Sequence, residues 1–223
     1  MPDKPERNSV VATKRGDDGT TGLLFGGDRV FKDGPRTEAY GAIDEAVAAL
    51  GLARAELGLK AQYGTLPRTL DRMPELILRL QRELFVVGSE LATTPSARDR
   101  QVGGTTRVTE SMVEGLDAVL AETEDAIEMP REFVVPGETR LSAAIELART
   151  IVRRAERRAD SIRRAEPIPN DQLVPYLNRL ADLLWILARA AEQGESRVAT
   201  PSRVELHAEP RTEPRPVHRE GAD

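Results

Sequence analysis

Five segments of the chain repeat apolar residues at alternating spacings of three and four, over residues 39–57, 73–91, 112–119, 141–162 and 173–191. This spacing places the apolar side chains on one face of a helix. The third segment is the shortest and has the weakest pattern. Because helices with continuous apolar stripes pack nearly parallel to one another, we expect an all-α fold, a five-helix bundle.

Proline and glycine interrupt the chain between these segments, and Thr109 is suited to cap the start of the third helix. Strand-like alternation is confined to a short stretch at 132–135. We expect residues 1–12 to form a flexible lead-in and residues 13–193 a single helical-bundle domain. Residues 194–223 are proline-rich and poor in large apolar side chains, which is typical of a disordered tail.

The residue inventory excludes several classes of catalytic site. The chain has no cysteine, and its two histidines, His207 and His218, lie in the C-terminal tail. The folded part therefore cannot carry Cys–His or Ser–His–Asp catalysis, a histidine-ligated zinc, or the Glu-x-x-His pairs of a di-iron bundle. The remaining chemistry must use arginine, lysine, carboxylates, backbone amides, a hard metal ion or a borrowed cofactor.

Charge and hydropathy limit the partners. A formal net charge of −5 is unlike that of a sequence-independent nucleic-acid binder, which is usually basic. No apolar run approaches the length of a membrane span, and the N-terminus lacks the apolar core of a signal peptide. We therefore expect a cytoplasmic protein that binds neither nucleic acid nor membrane.

Residues 13–37 predict an ordered loop that can hold an anion. Its opening stretch is rich in glycine, hydroxyl groups and positive charge, which are the components of a phosphate cradle. The sequence is not that of a P-loop, because the Gly-Lys-Ser/Thr ending is absent. A solvated, glycine-rich lead-in stays open as the alternative. The residues that would hold the anion are Thr13, Lys14, Arg15, Gly16, Thr21, Gly22 and Lys32.

The fourth segment carries a high density of arginine. Residues 149–158 contain five arginines and one glutamate, and Arg149, Arg153 and Arg157 share one helical face. Like charges stacked in this way repel one another, which favours an anionic partner. A solvated face, with Glu146 paired to a nearby arginine, stays open as the alternative.

Three further residues are candidates for a functional site. Asp44 follows the apolar-stripe residue Ile43 and is expected to be partly buried, where its simplest role is a salt bridge within the bundle. Phe133 lies in a loop bounded by proline and glycine, and its simplest role is to plug the core. Asn178, near the start of the fifth helix, would ordinarily be exposed or would form a hydrogen bond at the helix end.

Together these segments resemble the ATP:cob(I)alamin adenosyltransferases of the propanediol-utilisation type. The similarity extends over about residues 13–192, and its motifs follow one another in the order that the family shows. They comprise a nucleotide loop in two parts, a first helix, a cobalamin-facing loop, a signature helix and a last helix. The matching stretches are 13–22, 26–33, 38–45, 133–137, 148–157 and 176–184.

The resemblance implies a homotrimer of five-helix bundles, with active sites at the subunit interfaces. Asp44 would pair with Arg149 across the interface, Phe133 would lie under the corrin ring, and Arg153 would complete the catalytic group. Cobalamin would contact Asp44, Arg149 and Phe133. ATP would be bound by Thr13, Lys14, Arg15, Gly16, Thr21, Gly22 and Lys32 of one subunit, and by Arg153, Arg154, Glu156, Arg157 and Asn178 of its neighbour.

The reaction that the resemblance implies is transfer of the 5′-deoxyadenosyl group of ATP to cob(I)alamin, which gives adenosylcobalamin and triphosphate. The cobalt supplies the nucleophile, so no thiol or imidazole is required. Mg²⁺ is expected to accompany the phosphates, without a metal site built from protein ligands alone. A flavin reductase and a cobalamin-dependent mutase are the expected protein partners.

The chain departs from the commonest residues of this family at Val47, Glu138 and Glu146. Two other functions therefore stay open. One is a non-catalytic bundle that binds adenosylcobalamin or ATP and delivers or senses it. The other is an anion-binding or RNA-binding scaffold that uses the arginine face.

Overall fold

The computed structural model describes residues 11–166 and 168–203, and this part of the chain is mostly helical. The α-helices of the described part are α1 (Pro35–Gln62), α2 (Met73–Leu91), α3 (Glu110–Asp125), α4 (Arg140–Ala165) and α5 (Leu173–Gly194). The expected all-α bundle is confirmed. Helix α1 packs against α2 and α4, and α5 packs against α4 and α3, so the helices neighbour one another in the order α2, α1, α4, α5, α3, with α4 in the middle.

The apolar stripes read from the sequence form the core. In α1, α2, α4 and α5 every residue of the stripe is buried, because the spacing of three and four keeps each one on the inward face. Helix α3 buries only Leu116 completely, while Met112 and Val119 are partly exposed. The weak sequence pattern of the third segment thus corresponds to the helix that has the least buried surface.

The starts of α3 and α4 differ although both have a threonine at the N-cap. Thr139 Oγ1 accepts a hydrogen bond from the Ser142 amide at 3.0 Å, and Ser142 Oγ accepts one from the Thr139 amide at 3.2 Å. This reciprocal pair is a capping box, and it fixes the point at which α4 leaves the preceding loop. Thr109, at the start of α3, makes no such bond with its side chain.

Two short antiparallel pairs of strands stand outside the bundle. Strands β1 (Thr20–Thr21) and β2 (Val30–Phe31) form a hairpin before α1. Strand β3 (Val134–Val135), which lies within the stretch predicted to be extended, pairs with β4 (Thr200–Pro201). The hairpin and β4 were not predicted. Short 3₁₀ helices occupy Arg68–Leu70 and Pro95–Arg100.

Strand β4 lies in the region predicted to be a disordered tail. Residues 195–203 instead leave α5 and return along the loop that contains β3, because the backbone of β4 finds a partner there. Residues 204–223 and most of the predicted lead-in, 1–10, lie outside the described residues. Within the described ranges, no helix is both long enough and apolar enough to cross a membrane.

Candidate functional site

The N-terminal loop folds back on itself through Lys32, the residue after β2. Lys32 Nζ donates a hydrogen bond to the Gly16 carbonyl at 2.6 Å, and the Lys32 amide donates one to the Gly19 carbonyl at 3.0 Å. A Cβ atom on Gly16 would lie 2.8 Å from Lys32 Nζ and 3.2 Å from the Thr20 carbonyl oxygen, so a larger residue would make the Lys32 side chain shift. The loop is therefore ordered, and the structure does not show the solvated lead-in considered as its alternative.

Arg29 joins the two sides of the hairpin. Its Nε donates to Thr20 Oγ1 at 2.6 Å and its Nη2 donates to the Arg15 carbonyl at 2.6 Å. Hydrogen bonds from the Thr20 amide and hydroxyl, with the nearby Arg29 charge, hold the pKa of Asp18 below its usual value. Lys14 takes a φ of 59°, which is uncommon outside glycine. The backbone of this turn is thus fixed by its own side chains.

The hairpin is anchored to the end of α2. The Leu24 amide donates to the Ala92 carbonyl at 3.0 Å, just beyond the last residue of that helix. Arg100 Nη1 donates to the Phe25 carbonyl at 2.8 Å, and its guanidinium lies 4.7 Å from the centroid of the Phe25 ring. The loop therefore has a defined position on the bundle, although most of its residues are exposed.

Tyr40 connects the loop to the first turns of α1. Burial raises the pKa of the Tyr40 hydroxyl, the charge of Asp44 raises it further, and a hydrogen bond with Thr21 partly offsets both effects. Asp44 itself is exposed, so the expectation of partial burial is wrong. Successive residues on a helix are rotated by about 100°, and this rotation carries Asp44 away from the core that Ile43 enters.

The arginines of α4 fall into three environments. Arg149 is partly buried, and its Nε donates to Glu146 Oε2 at 2.6 Å. Arg154 forms an ion pair with Glu45 of α1, and Arg158 lies 3.4 Å from another carboxylate of that helix. Arg153 and Arg157 are exposed, and no side-chain partner for either is found among residues 11–166 and 168–203.

Glu156 and Asn178 connect α4 to α5 beside these arginines. Asn178 Nδ2 donates to Glu156 Oε1 at 3.3 Å, and both side chains are partly buried. This contact holds the start of α5 against the middle of α4. The expectation that Asn178 lies near a functional surface stays a prediction.

One chain does not bring the two halves of the predicted site together. Within the described ranges, no hydrogen bond or ion pair joins loop residues 13–34 to Arg149, Arg153 or Arg157. Asp44 and Arg149 are likewise not paired in the chain, since Arg149 bonds to Glu146. A ligand that touches both halves must therefore lie between them or between copies of the chain.

Phe133 stands on the surface, so the interpretation of it as a core plug is wrong. Its side chain is 88% exposed, which is unusual for a phenylalanine. The loop that carries it is held in place by β4 and by the Ser202 amide, which donates to the Phe133 carbonyl at 2.7 Å. Phe133 and Trp185 of α5 line a shallow cavity of about 390 Å³. An exposed aromatic ring on a pinned loop is suited to contact a flat apolar ligand.

A buried charge cluster behind Arg149 was missed in the sequence. Arg189 of α5 is 1% exposed, and its Nη2 lies 3.3 Å from Glu146 Oε1 and 2.9 Å from Glu192 Oε1. Burial raises the pKa of Glu192, and the charge of Arg189 opposes that shift. The sequence does contain a signal for this cluster. Arg189 and Glu192 lie three residues apart at the end of the otherwise apolar stretch 183–191.

A second buried carboxylate, Glu90 of α2, was also missed. Its Oε2 accepts a hydrogen bond from the Val108 amide at 2.7 Å, and Asn170 Nδ2 donates to its Oε1 at 2.8 Å. Glu90, Arg36 and Asn170 line a cavity of about 660 Å³. These bonds tie the ends of α2 and of the α4–α5 connection to the segment that precedes α3.

Comparison with known proteins decides the family. The family model described as cobalamin adenosyltransferase matches residues 11–191. The chain belongs to the cobalamin adenosyltransferase family. The resemblance inferred from the motifs is thereby confirmed, and so is the enzymatic activity, transfer of an adenosyl group to cobalamin.

Two curated corrinoid adenosyltransferases are similar to the chain over most of their length. The corrinoid adenosyltransferase of Bacillus subtilis is 38% identical over 178 residues, which are 79% of this chain and 83% of the relative. That of Citrobacter freundii is 35% identical over 182 residues, which are 82% of this chain and 94% of the relative.

Solved structures of the family share the fold. A PduO-type ATP:corrinoid adenosyltransferase from Lactobacillus reuteri, an arginine-to-lysine variant complexed with ATP, aligns with a TM-score of 0.73 and 27% identity over 86% of this chain and 100% of its own. A phenylalanine-to-alanine variant, complexed with cobalamin and ATP, aligns with the same TM-score and identity over 86% of this chain and 98% of its own.

Proposed function

We propose that the chain forms a homotrimer in which each active site combines the N-terminal loop of one copy with α4 of its neighbour. The support is the separation of the two halves within one chain. The loop is held by its own hydrogen bonds and is largely exposed, and α4 presents Arg153 and Arg157 to the exterior. Within the described residues no hydrogen bond or ion pair joins the loop to Arg153 or Arg157, so a neighbouring copy is the simplest source of the missing half.

ATP would lie with its phosphates between the two halves. The loop offers a backbone held by Arg29 and Lys32, which donate to the carbonyls of Arg15 and Gly16, and it carries hydroxyl groups at Thr13 and Thr21. From the neighbour, Arg153 and Arg157 would bind phosphate oxygens in pairs, since a guanidinium fork matches two oxygens at once. The remaining ATP contacts of this proposal are Lys14, Arg15, Gly16, Gly22, Arg154, Glu156 and Asn178.

Arg149 keeps its terminal nitrogens available. Among the residues that the structure describes, Glu146 is the partner of Nε and neither Nη group has one, so both could bind Asp44 of a neighbouring copy. The exposure of Asp44 and its lack of a cationic partner within the described chain fit this pairing. The pair would fix the relative position of two subunits beside the bound corrinoid.

The bond-forming step needs little from the protein beyond alignment and charge. The Co(I) centre of the reduced substrate attacks C5′ of ATP, the cobalt–carbon bond forms, and the C5′–oxygen bond breaks with its electron pair leaving on triphosphate. The arginines would stabilise the negative charge that accumulates on this leaving group. The fixed loop would hold C5′ in line with the cobalt.

Phe133 would provide the apolar surface beneath the corrin ring. A ring at this position excludes water and bases from the lower face of the cobalt, which leaves a four-coordinate Co(II) that is easier to reduce. The support is its 88% exposure on a loop that backbone hydrogen bonds hold to β4 and Ser202.

Mg²⁺ would accompany the triphosphate in this proposal. Within the described residues, no cluster of three or more Asp, Glu, His or Cys side chains could hold a metal ion. Phosphate oxygens and water would therefore supply most of the ligands, as is usual for this ion. The enzyme would act in the cytoplasm, with a flavin reductase as electron source and a cobalamin-dependent mutase as acceptor of the product.

The arginine assignment is tested by Arg153→Ala. Turnover with ATP, a strong reductant and hydroxocobalamin should fall by about 10²–10³-fold, because a fixed charge that stabilises the leaving group is lost. Arg163→Ala is the matched control, since Arg163 is an exposed arginine of the same helix that pairs with Asp160 at 2.8 Å. Wild-type turnover in Arg153→Ala, or an equal loss in Arg163→Ala, would remove α4 from the site.

In the same assay, Phe133→Ala separates the corrin surface from the nucleotide site. Adenosylation should fall and the spectrum of four-coordinate Co(II) should disappear, while ATP affinity stays unchanged. Loss of ATP affinity instead would assign this loop to the nucleotide.

A further inference from the structure

Glu146 is shared between two arginines that differ completely in their surroundings. Its Oε2 accepts from Arg149 Nε at 2.6 Å, and its Oε1 lies 3.3 Å from Arg189 Nη2. Arg149 is at the surface of the bundle with 23% of its side chain exposed, whereas Arg189 is 1% exposed. The carboxylate therefore connects the buried interior of α5 to an arginine at the proposed active site.

The cluster is costly as a purely stabilising device. Arg189 Nε and Nη1 are buried and find no hydrogen-bond partner among the described residues, and one nitrogen, Nη2, serves both Glu146 and Glu192. Buried ion pairs often add less stability than well-packed apolar side chains would, because both charges lose their hydration. The cluster is better explained by a role in orienting a neighbouring side chain than by a gain in the stability of the bundle.

The contacts of Glu146 indicate that it restricts the position of the Arg149 side chain. Because Arg189 also pairs with the Glu146 carboxylate, the movement of that carboxylate is restricted. Glu146 therefore holds Arg149 Nε in one position. Among the described residues only Nε of this guanidinium has a hydrogen-bond or ion-pair partner, which leaves the two Nη groups for a ligand or a neighbouring copy. A long side chain that would otherwise sample several rotamers is thereby restricted.

We infer that Glu146 and Arg189 are positioning residues for the adenosyl transfer, acting through Arg149 without touching either substrate. This inference rests on the proposed role of Arg149. It adds a buried pair of charges, Glu146 of α4 and Arg189 of α5, behind the groups that would touch the substrates.

The chain supplies a matched control within the same cluster. Glu192 is as deeply buried as Arg189 and pairs with the same Nη2 at 2.9 Å, but it makes no contact with Arg149. Glu146→Gln and Glu192→Gln therefore make the same chemical change against the same buried arginine, and only the first alters the support of Arg149.

The experiment measures kcat and KM for ATP in Glu146→Gln, Glu192→Gln, Arg149→Ala and the double variant Glu146→Gln/Arg149→Ala. Glu146→Gln should lower kcat by about tenfold or more with KM for ATP unchanged, because a misplaced group slows the chemical step. Glu192→Gln should keep kcat near the wild-type value. The double variant should be no slower than Arg149→Ala, since Glu146 acts only through Arg149.

Equal losses in Glu146→Gln and Glu192→Gln, or losses that multiply in the double variant, would show that the cluster only stabilises the bundle. Wild-type turnover in Arg149→Ala would instead overturn the proposed role of that arginine. Circular dichroism monitors folding, and if Glu146→Gln does not fold, Glu146→Asp replaces it. Aspartate keeps the charge balance but shortens the reach, so the same loss of kcat is expected and a wild-type kcat would refute the inference.

Discussion

Glu90 shows how a single buried carboxylate can be held by uncharged donors. Burial raises its pKa, and hydrogen bonds from the Val108 amide and from Asn170, with the charges of Arg107 and Arg98, oppose the shift only in part. The native state therefore binds the carboxyl proton more tightly than the unfolded chain does. The stability that this proton contributes is complete below the ordinary pKa of 4.5 and is lost as the pH rises through the higher native pKa.

The raised pKa of Glu90 can be tested with the variant Glu90→Gln. Its side chain keeps an oxygen acceptor for the Val108 amide but cannot ionise. The free energy of unfolding of the wild type, relative to that of the variant, should fall as the pH rises from about 4 to about 8. Urea unfolding at several pH values measures this difference. A difference that stays constant or grows with pH would contradict the assignment of a raised native pKa.

The N-terminal caps of α3 and α4 are expected to differ in the stability that they contribute. Thr139 and Thr109 both stand at N-caps, but only Thr139 bonds to the backbone of its helix. Thr139→Ala should lower the free energy of unfolding by about 1 kcal/mol, since two amide donors at the start of α4 lose their organisation. Thr109→Ala should cost less. Urea unfolding tests both, and equal losses would show that the capping box of α4 adds no stability.

The helices were predictable because their pattern is local, whereas the strands were not. Every apolar stripe of α1, α2, α4 and α5 is buried as its spacing indicates. Strand β4 was missed, since two residues near the end of a polar segment gain their structure only from β3, which lies more than sixty residues earlier. The hairpin was missed for a related reason, because it depends on Arg29 and Lys32 reaching back across the loop.

For the candidate site too, local sequence patterns were predictable and long-range contacts were not. Spacing placed Arg149, Arg153 and Arg157 on one face, but it could not show that Arg149 alone is partly buried. Its partner Glu146 also pairs with Arg189, more than forty residues further along the chain, and such a long-range pair leaves no periodic signal. The motifs identified the family and its chemistry, while the supporting charges required three-dimensional structure.

At the scale of the whole molecule, the proposed sharing of each site between two copies makes a quantitative prediction. Lys32→Ala disables the loop and Arg153→Ala disables α4, so each variant alone should have little activity. Trimers that contain both variants should recover about a third of wild-type turnover, because one of the three sites in each such ring of heterologous interfaces combines two intact halves.

Co-expression with two affinity tags, followed by tandem purification and the turnover assay, measures this recovery. Mixtures of separately folded single variants that have not exchanged subunits serve as the control. No recovery in the mixed trimers would place the loop and α4 of each site in the same chain.

The position of Trp185 gives the protein a natural optical label. It is the sole tryptophan of the sequence, it faces the same shallow cavity as Phe133, and the Arg189 guanidinium lies 5.4 Å from its ring centroid. All indole emission thus originates within a few side chains of the ring that would meet the corrin. Because corrins absorb in the near ultraviolet, a corrinoid bound in this cavity should quench the Trp185 fluorescence by energy transfer. Corrinoid binding can therefore be followed in the unmodified enzyme without any added dye.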